Sequence, residues 1–116
     1  MEILEERKGS LVLVELVGRL DSLTTEDAKK RMLVSVAAAP HLLVDCRQLE
    51  YISSVGLGLF MLLLKIKKDA GGSFGLFSLN PRIREIFVVS KLDRVMPIFD
   101  TREDALKTVP AGTGDA

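Results

Sequence analysis

The sequence predicts a single α/β domain with a mixed, mostly parallel sheet of four to five strands and about four helices. Short apolar runs of strand length alternate along the chain with longer segments whose apolar residues have helical spacing. Such alternation implies right-handed crossovers and parallel strands, while a tight turn near the N-terminus makes the first strand antiparallel. The length of 116 residues fits one domain and leaves no room for a second.

The N-terminal part is predicted to form a hairpin followed by a helix. An edge strand at residues 3–7 and an almost wholly apolar strand at residues 11–17 are separated by a Gly-containing turn. Gly18 is expected to end the second strand. Ser22 or Thr24 is expected to cap the helix that follows. The apolar side of this helix contains Ala28, Met32 and Val36 at spacings of four, with Leu33 and Val34 beside them.

The rest of the chain is predicted to be organised around residues 42–69. This segment begins with an apolar run of strand length and continues through a polar connector at residues 45–50. Ser53 and Ser54 then precede a long apolar segment, and serine in that position is a helix N-cap signal. A hydroxyl there lies beside free backbone N–H groups at the positive end of the helix dipole, which suits an added phosphate.

After the central helix, the pattern predicts two further strand and helix pairs. A strand at residues 73–79 is followed by a helix at 81–89, for which Asn80 and the proline after it form the start signal. A last short strand at 95–99 contains a proline and is therefore placed at an edge of the sheet. A final helix at 102–109 completes the domain.

The composition indicates a globular cytoplasmic protein. Apolar residues make up 47% of the chain, enough for a core, and the domain is expected to cover residues 1–109 with a disordered tail at 110–116. Basic and acidic residues number 16 each, which argues against non-specific nucleic-acid binding. Cys46 is the only cysteine, so the pattern fits a reducing compartment. The acidic N-terminus has no signal core and no apolar run could span a bilayer, so we expect no membrane insertion.

Residues 49–58 resemble the signature of STAS domains, in particular the bacterial anti-sigma factor antagonists. In that family, Asp-Ser-Ser/Thr-Gly-Leu-Gly opens a helix, and its first Ser is phosphorylated by a kinase that is also the anti-sigma factor. Ser54 falls on this phosphoacceptor, and the Gly-Leu-Gly follows it after one residue. Two positions depart from the family, since Ser53 replaces the Asp and Val55 replaces the second hydroxyl residue.

Residues 18–21, Gly-Arg-Leu-Asp, also match the family's Gly-x-Leu-Asp after its second strand, and the resemblance extends over roughly residues 3–107. The resemblance implies partner switching: the unphosphorylated protein binds an anti-sigma factor that is a serine-protein kinase, phosphorylation of Ser54 cancels the binding, and a PP2C-type phosphatase restores it. The adenine nucleotide belongs to the kinase, so no cofactor is expected in this chain. The residues expected to bind the partner are Asp21, Ser22, Ser53, Ser54, Gly56, Leu57 and Gly58.

Other interpretations of these residues are simpler. From spacing alone, Ser54 is more often an N-cap than a phosphoacceptor, and only the resemblance reverses that preference. Asp21 without the resemblance is a turn or cap residue. Gly56 to Gly58 lack the Lys and the longer spacing of a nucleotide-binding loop. His41, the only histidine, is expected in a loop, and there is no Cys/His set for a metal, so no enzyme is predicted.

The central helix has apolar residues on two sides. Periodicity does not decide which side is the core, but the resemblance sends one set inward and leaves Leu62 and Ile66 as an apolar patch for a partner or for a homodimer. The alternative is a helix covered on both sides by the C-terminal segment. The inward set is Leu57, Phe60, Met61 and Leu64, and the other set is Leu59, Leu62, Leu63 and Ile66.

Two further classes of function stay open. One is a non-switching STAS scaffold or subunit, either stressosome-like or part of a lipid-transport complex, whose binding would not respond to changes at Ser54. The other is a small enzyme or nucleotide-binding protein, which would show turnover or tight nucleotide binding by the isolated chain.

Overall fold

Strands and helices alternate along the chain in the computed structural model, which describes residues 1–109. The predicted tail at 110–116 lies outside the described residues. The strands are β1 (Glu2–Lys8), β2 (Leu11–Leu20), β3 (His41–Asp45), β4 (Leu49–Ile52), β5 (Ser73–Phe77) and β6 (Ile98–Phe99). The helices are α1 (Thr25–Ala38), α2 (Ser54–Asp69), α3 (Pro81–Val89) and α4 (Arg102–Leu106), with a 3₁₀ turn at Leu92–Arg94.

The sheet has the order β1-β2-β3-β5-β6, and β4 pairs with the far end of β2. Strand β1 is antiparallel to β2, and all other pairs are parallel. This confirms the predicted class, a mixed and mostly parallel sheet. The described residues form six strands, not four to five, because part of the predicted connector and the two residues after it form β4.

Strand β2 is longer than predicted because Gly18 does not end it. Gly18 has a φ of +117°, a value that favours glycine, and it lies where the parallel partner of β2 changes from β3 to β4. Beyond this irregularity, Arg19 pairs with Tyr51 and Leu20 with Ile52. The segments that begin at Asp21 and Ser53 therefore leave the sheet side by side, at the same edge.

Two cores lie on the two faces of the sheet. Alternate residues of β2 point to opposite faces, so Val12 and Val14 belong to the larger core with α1, α2 and α3, while Leu11 and Leu13 face α4. The three residues of α1 at spacings of four are buried as predicted, at most 4% exposed, whereas Leu33 is half-buried and Val34 is 71% exposed. The larger core contains the aromatic side chains Phe60, Phe74 and Phe87.

The buried face of α2 differs in part from the predicted one. Phe60 and Leu64 are buried as predicted, but Leu57 and Met61 are only half-buried. Helix α2 packs against both α1 and β5, so its core stripe is centred between the two predicted sets. The buried residues of α2 are Gly56, Leu59, Phe60, Leu63, Leu64 and Lys67.

Leu62 and Ile66, the two residues of the predicted apolar patch, are half-buried. Ile66 packs against the larger core. A partner or a second copy of the chain at these residues stays a prediction, with less free surface than the sequence suggested.

Lys67 belongs to the inner face of α2 although it lies in a lysine-rich turn. Its side chain is almost fully buried, and its ammonium group donates hydrogen bonds to the backbone carbonyls of Val36 and Ala39. These carbonyls are at the C-terminus of α1, where helix carbonyls have no partner within the helix. Burial lowers the pKa of Lys67. The lysine thus ties the end of α1 to α2.

The strands and helices predicted near the C-terminus are present, but several of them are shorter than predicted. Asn80 caps α3 by accepting a hydrogen bond from the backbone N–H of Ile83 at 3.0 Å, and Pro81 is the first helical residue. Strand β5 ends at Phe77, before the predicted residue 79, and β6 comprises only two residues at the sheet edge. Helix α4 ends at Leu106 and not at 109.

Candidate functional site

The N-terminus of α2 is held in place by Ser53. This residue has extended backbone angles, and its hydroxyl oxygen accepts a hydrogen bond from the backbone N–H of Gly56 at 3.3 Å. Its own backbone N–H donates to the carbonyl of Leu20 at 2.8 Å. Ser53 is therefore the N-cap of α2 and also the residue that anchors the helix to the end of β2.

Ser54 is the first residue of α2 and is exposed to solvent. Its hydroxyl makes no hydrogen bond with any residue in 1–109. The first N–H groups of a helix have no partner inside the helix, and the helix dipole is positive there. An anionic group on Ser54 would lie in a favourable field and would break no contact of the fold.

The two glycines after Ser54 have different environments. Gly56 is buried, and a Cβ atom added to it would lie 2.8 Å from Cγ1 of Ile52 and 3.2 Å from the carbonyl oxygen of Leu20. Gly58 is exposed, and an added Cβ would have nothing within 4 Å outside the helix backbone. Only Gly56 is required by internal packing. Leu57 between them is half-buried.

Asp21 is fully engaged in the turn before α1. Its carboxylate oxygen Oδ1 accepts hydrogen bonds from the backbone N–H groups of Leu23 at 2.9 Å and Thr24 at 3.0 Å. These hydrogen bonds lower the pKa of Asp21. The structure thus assigns Asp21 its simpler role as a turn residue, and the role of partner contact remains a prediction.

Of the two predicted caps of α1, Thr24 is confirmed by its position, and Ser22 is not the cap. Ser22 is exposed, and Thr24 occupies the N-cap position without a side-chain cap hydrogen bond. The Thr24 hydroxyl instead donates to the carbonyl of Arg19 at 2.6 Å, because Asp21 has already folded the turn back toward β2. Asp21 and Ser22 nevertheless lie at the same sheet edge as Ser53, so the fold brings these predicted partner-binding residues to one end of the molecule.

A shallow groove lies next to this edge of the sheet, and the sequence did not predict it. It has a volume of about 630 Å³ and is lined by Arg19, Glu50, Asn80, Pro81 and Arg82. The guanidinium carbon of Arg19 lies 4.4 Å from the centre of the Tyr51 ring, a cation–π distance. The groove forms only when β4 pairs with β2. Because the sequence predicts a connector at residues 45–50, it does not predict the groove.

His41 opens β3, contrary to the prediction that it lies in a loop, and its Nδ1 is 2.7 Å from the Ser73 hydroxyl. Burial lowers its pKa. His41 is paired with Leu11 at the start of β2, while Ser53 contacts Leu20 at the end of that strand. Nine residues of strand span roughly 30 Å, so His41 is not a base for Ser54.

Within residues 1–109 no group of His, Cys, Asp or Glu side chains is arranged to hold a metal ion. Among the described helices, none has the length and apolar character that crossing a membrane requires.

The fold and the serine pair at the start of α2 define a recognised class of domain. A family model for the STAS domain matches residues 2–105. The chain belongs to the STAS domain family.

The relatives agree with this family. The chain is 26% identical over 108 residues to a Paenibacillus polymyxa protein named anti-sigma F factor antagonist, with 91% of this chain and 92% of that protein covered. The crystal structure of tm1081 from Thermotoga maritima matches with a TM-score of 0.86 at 23% identity, covering 92% of this chain and 93% of the other. The Bacillus cell fate determinant SpoIIAA, solved in its phosphorylated form, matches with a TM-score of 0.72 at 22% identity, covering 94% and 100%.

Proposed function

We propose that this chain is an anti-sigma factor antagonist that acts by partner switching. In its unphosphorylated form it binds an anti-sigma factor that is also a serine kinase, and this binding frees the sigma factor. Phosphorylation of Ser54 cancels the binding, and a PP2C-type phosphatase restores it. The name of the Paenibacillus relative, whose length this chain covers almost completely, supports the general role.

The observation that carries the proposal is the different engagement of the two serines. The Ser53 hydroxyl is used by the fold as the cap of α2, whereas the Ser54 hydroxyl is exposed and makes no hydrogen bond in the described part of the chain. A kinase can reach Ser54 without unfolding any element. SpoIIAA, which shares the fold, is itself a protein with a phosphorylated form.

The phosphoryl transfer needs nothing from this chain except an accessible hydroxyl. The Ser54 oxygen forms a bond to the γ-phosphorus of ATP, the bond from that phosphorus to the bridging oxygen breaks, and ADP leaves. The hydroxyl proton passes to a base of the kinase, because the only histidine of this chain lies at the other end of β2.

Phosphate at Ser54 changes binding more than it changes the fold. The modification adds about two negative charges and three acceptor oxygens. On the free protein these charges are solvated and lie at the favourable end of the α2 dipole. In a complex they would be desolvated inside the contact surface, which costs several kcal/mol unless the partner offers cations. Phosphate on Ser54 therefore leaves the fold stable but lowers the affinity for the partner.

The proposal is tested with the anti-sigma factor kinases of the source organism, purified and incubated with ATP and this chain. We expect one of them to phosphorylate the wild type at Ser54, to phosphorylate Ser53→Ala at the same site, and to leave Ser54→Ala unmodified. Phosphate that persists in Ser54→Ala, or that maps mainly to Ser53, contradicts the assignment of the acceptor.

Binding by the same kinase gives the second part of the test. Ser54→Ala should bind as well as the wild type, and Ser54→Asp should bind more weakly, with a partial effect because a carboxylate carries less charge than phosphate. Circular dichroism of both variants checks that the fold is intact. Equal affinity of the wild type and a folded Ser54→Asp would favour the non-switching scaffold or subunit.

A further inference from the structure

One end of the sheet, the end away from the serine pair of α2, is held by a small set of polar contacts. His41 opens β3 and Ser73 opens β5, and the two residues are partners in the parallel register. Nδ1 of His41 lies 2.7 Å from the Ser73 hydroxyl. The backbone N–H of His41 donates to the carbonyl of Ser10 at 3.0 Å, and that of Ser73 donates to the carbonyl of Pro40 at 3.1 Å. The starts of β3 and β5 are therefore fixed to each other and to the turn before β2.

Lys67 lies next to these contacts and is held in place from two sides. Its ammonium group is bound to the carbonyls at the end of α1, and its own carbonyl accepts a hydrogen bond from the backbone N–H of Gly72 at 2.8 Å. A Cβ atom added to Gly72 would lie 1.9 Å from the carbonyl oxygen of Pro40 and 3.4 Å from Cδ of Lys67. Because the chain is packed this closely, the lysine charge has no room to move away. We call His41, Lys67, Gly72 and Ser73 the His41 cluster.

The groups that face His41 include a cation but no anion. Helix α2 brings the positive charge of Lys67, and β5 brings the Ser73 hydroxyl. The turn before β2 contributes the backbone carbonyl of Ser10, and β2 itself places the apolar Leu11 beside the histidine. Among residues 1–109, no carboxylate forms an ion pair with His41. A proton on this half-buried ring would therefore add a second positive charge without a counter-charge.

We propose that the His41 cluster is an acid-sensitive joint: a proton on His41 loosens the contact between the loop before β3 and the loop before β5, and this end of the domain then opens locally more often. The hydrogen bond between His41 and Ser73 can form with or without the proton, because a serine hydroxyl both donates and accepts. The proton therefore acts through its charge, beside a lysine that is fixed by two carbonyls. The inference does not rest on the proposed function, since the cluster lies at the opposite end of β2 from the serine pair.

The direction of the effect follows from the surroundings of His41. Burial, and after it the charge of Lys67, lowers the pKa of His41 below its ordinary value of 6.5. Between the lowered pKa and 6.5 the unfolded chain binds more protons than the folded one, so stability increases with pH in that window. The contribution of neutral His41 is fully present above pH 6.5 and is lost as the pH falls through the folded pKa. Acidification from neutral pH is thus the condition that opens the joint.

The test uses the fact that His41 is the only histidine of the chain. A protein without an affinity tag has one imidazole, so its NMR signal reports the titration of His41 directly. His41→Gln is the matched control, because glutamine is polar, can form a hydrogen bond with Ser73 and does not titrate. Carboxylates titrate in both proteins and cancel in the comparison. Urea unfolding and amide hydrogen exchange of both proteins are measured at about pH 7.5 and about pH 5.5, on either side of the ordinary histidine pKa.

We expect the imidazole signal of the folded wild type to titrate with a midpoint below 6.5. At the lower pH, the wild type should lose stability relative to His41→Gln. Exchange protection of the Gly72 and Ser73 amides should fall by a few fold and up to about tenfold more in the wild type than in the variant. The Cys46 amide, which is hydrogen-bonded to the carbonyl of Phe77 beyond the other end of β3, should show no such difference.

A midpoint at or above 6.5, or the same change of stability with pH in both proteins, overturns the proposal. So does a loss of protection at Cys46 as large as that at Gly72 and Ser73, because the whole domain would then be unfolding. If His41→Gln does not fold, the imidazole titration of the wild type and the contrast between the Ser73 and Cys46 amides at the two pH values decide alone. Equal changes of protection at these two amides then overturn the joint.

Discussion

The inner and outer faces of α2 contain the same residue types in different roles. Gly56, Leu63 and Lys67 face the core, where glycine avoids a clash, leucine fills space and lysine satisfies carbonyls of α1. Their counterparts on the outer face are Gly58, Leu62 and Lys68. For these, the described part of the chain offers no comparable internal partner.

The same contrast separates the two serines at the start of the helix. Ser53 is used by the fold and Ser54 is not, although they are adjacent in sequence. Residue type and spacing alone therefore do not distinguish a structural position from a functional one on this helix. Four matched pairs of substitutions test this distinction. Each pair changes one residue that the fold uses and one residue of the same type that it does not use.

The largest difference is expected between Leu63→Lys and Leu62→Lys. Leu63 is fully buried, so a lysine there places an unpaired charge in the larger core and should destabilise the protein by more than about 4 kcal/mol. Leu62 is half-buried on the outer side of α2, and a long lysine side chain can extend to water from it. Leu62→Lys should therefore lower the free energy of unfolding by less than about 1 kcal/mol. Urea unfolding monitored by circular dichroism measures both.

Binding to the kinase provides the control for this pair. Leu62→Lys, although folded, should bind the kinase more weakly than the wild type, because it brings a charge to the predicted apolar patch at Leu62 and Ile66. If Leu62→Lys unfolds the domain and Leu63→Lys does not, the orientation of α2 described above is incorrect.

The orientation of α2 also marks the limit of prediction from sequence. The order of the elements other than β4, the start of α2 at the serine pair and the Asn80 cap of α3 followed from local patterns, because capping and breaking signals act over a few residues. The buried face of α2 did not follow, because nearly every position from Leu57 to Leu64 is apolar. Only the neighbours of the helix select the face, and these are distant in sequence.

The strand β4 and the buried lysine were missed for the same reason. Residues 49–52 form a strand only because the far end of β2 pairs with them, after the irregularity at Gly18. Lys67 lies in a sequence that reads as a solvated helix end, and its partners belong to α1. Within the candidate site, the sequence predicted that the serine pair lies at the start of α2. The division of roles between Ser53 and Ser54, and between Gly56 and Gly58, required the structure.

The second pair compares Lys67→Met with Lys68→Met. Lys67→Met removes two hydrogen bonds between a cation and the carbonyls of Val36 and Ala39, so we expect a loss of about 1.5–3 kcal/mol. Lys68 is exposed, and Lys68→Met should change stability by less than about 0.5 kcal/mol. Equal stabilities of the two variants would mean that the buried lysine contributes nothing to holding α1.

Titration gives an independent check on Lys67. Burial lowers its pKa in the folded protein below the ordinary value of 10.5, so between the folded pKa and 10.5 the unfolded chain binds more protons. The stability of the wild type relative to Lys67→Met should therefore rise as pH increases within that window and stay constant below it. Unfolding free energies from neutral pH to about 10.5 test this sign. A relative stability that falls over the same range would contradict the burial of the charge.

The third pair compares Gly56→Ala with Gly58→Ala. The added methyl group at Gly56 would overlap Ile52 and Leu20, and overpacking costs about 1–3 kcal/mol, against which alanine recovers up to about 1 kcal/mol of helix propensity. The net loss should be about 1 kcal/mol. At Gly58 only the gain in propensity remains, so the variant should be more stable by about 0.5–1 kcal/mol. Thermal melts suffice, and a destabilised Gly58→Ala would show that the outer glycine has an internal packing role after all.

The smallest difference is expected between Ser53→Ala and Ser54→Ala. Removing a serine N-cap costs about 0.5–2 kcal/mol, and the 3.3 Å hydrogen bond from Gly56 to Ser53 is long, so we expect a value near the lower end. Ser54→Ala removes a hydroxyl that forms no hydrogen bond among residues 1–109, and alanine is the better helix former, so stability should be unchanged or slightly higher. Urea unfolding with a shared slope resolves differences of this size. A loss for Ser54→Ala that equals or exceeds the loss for Ser53→Ala would show that Ser54 also stabilises the helix start, and the separation between a structural serine and a switching serine would then fail.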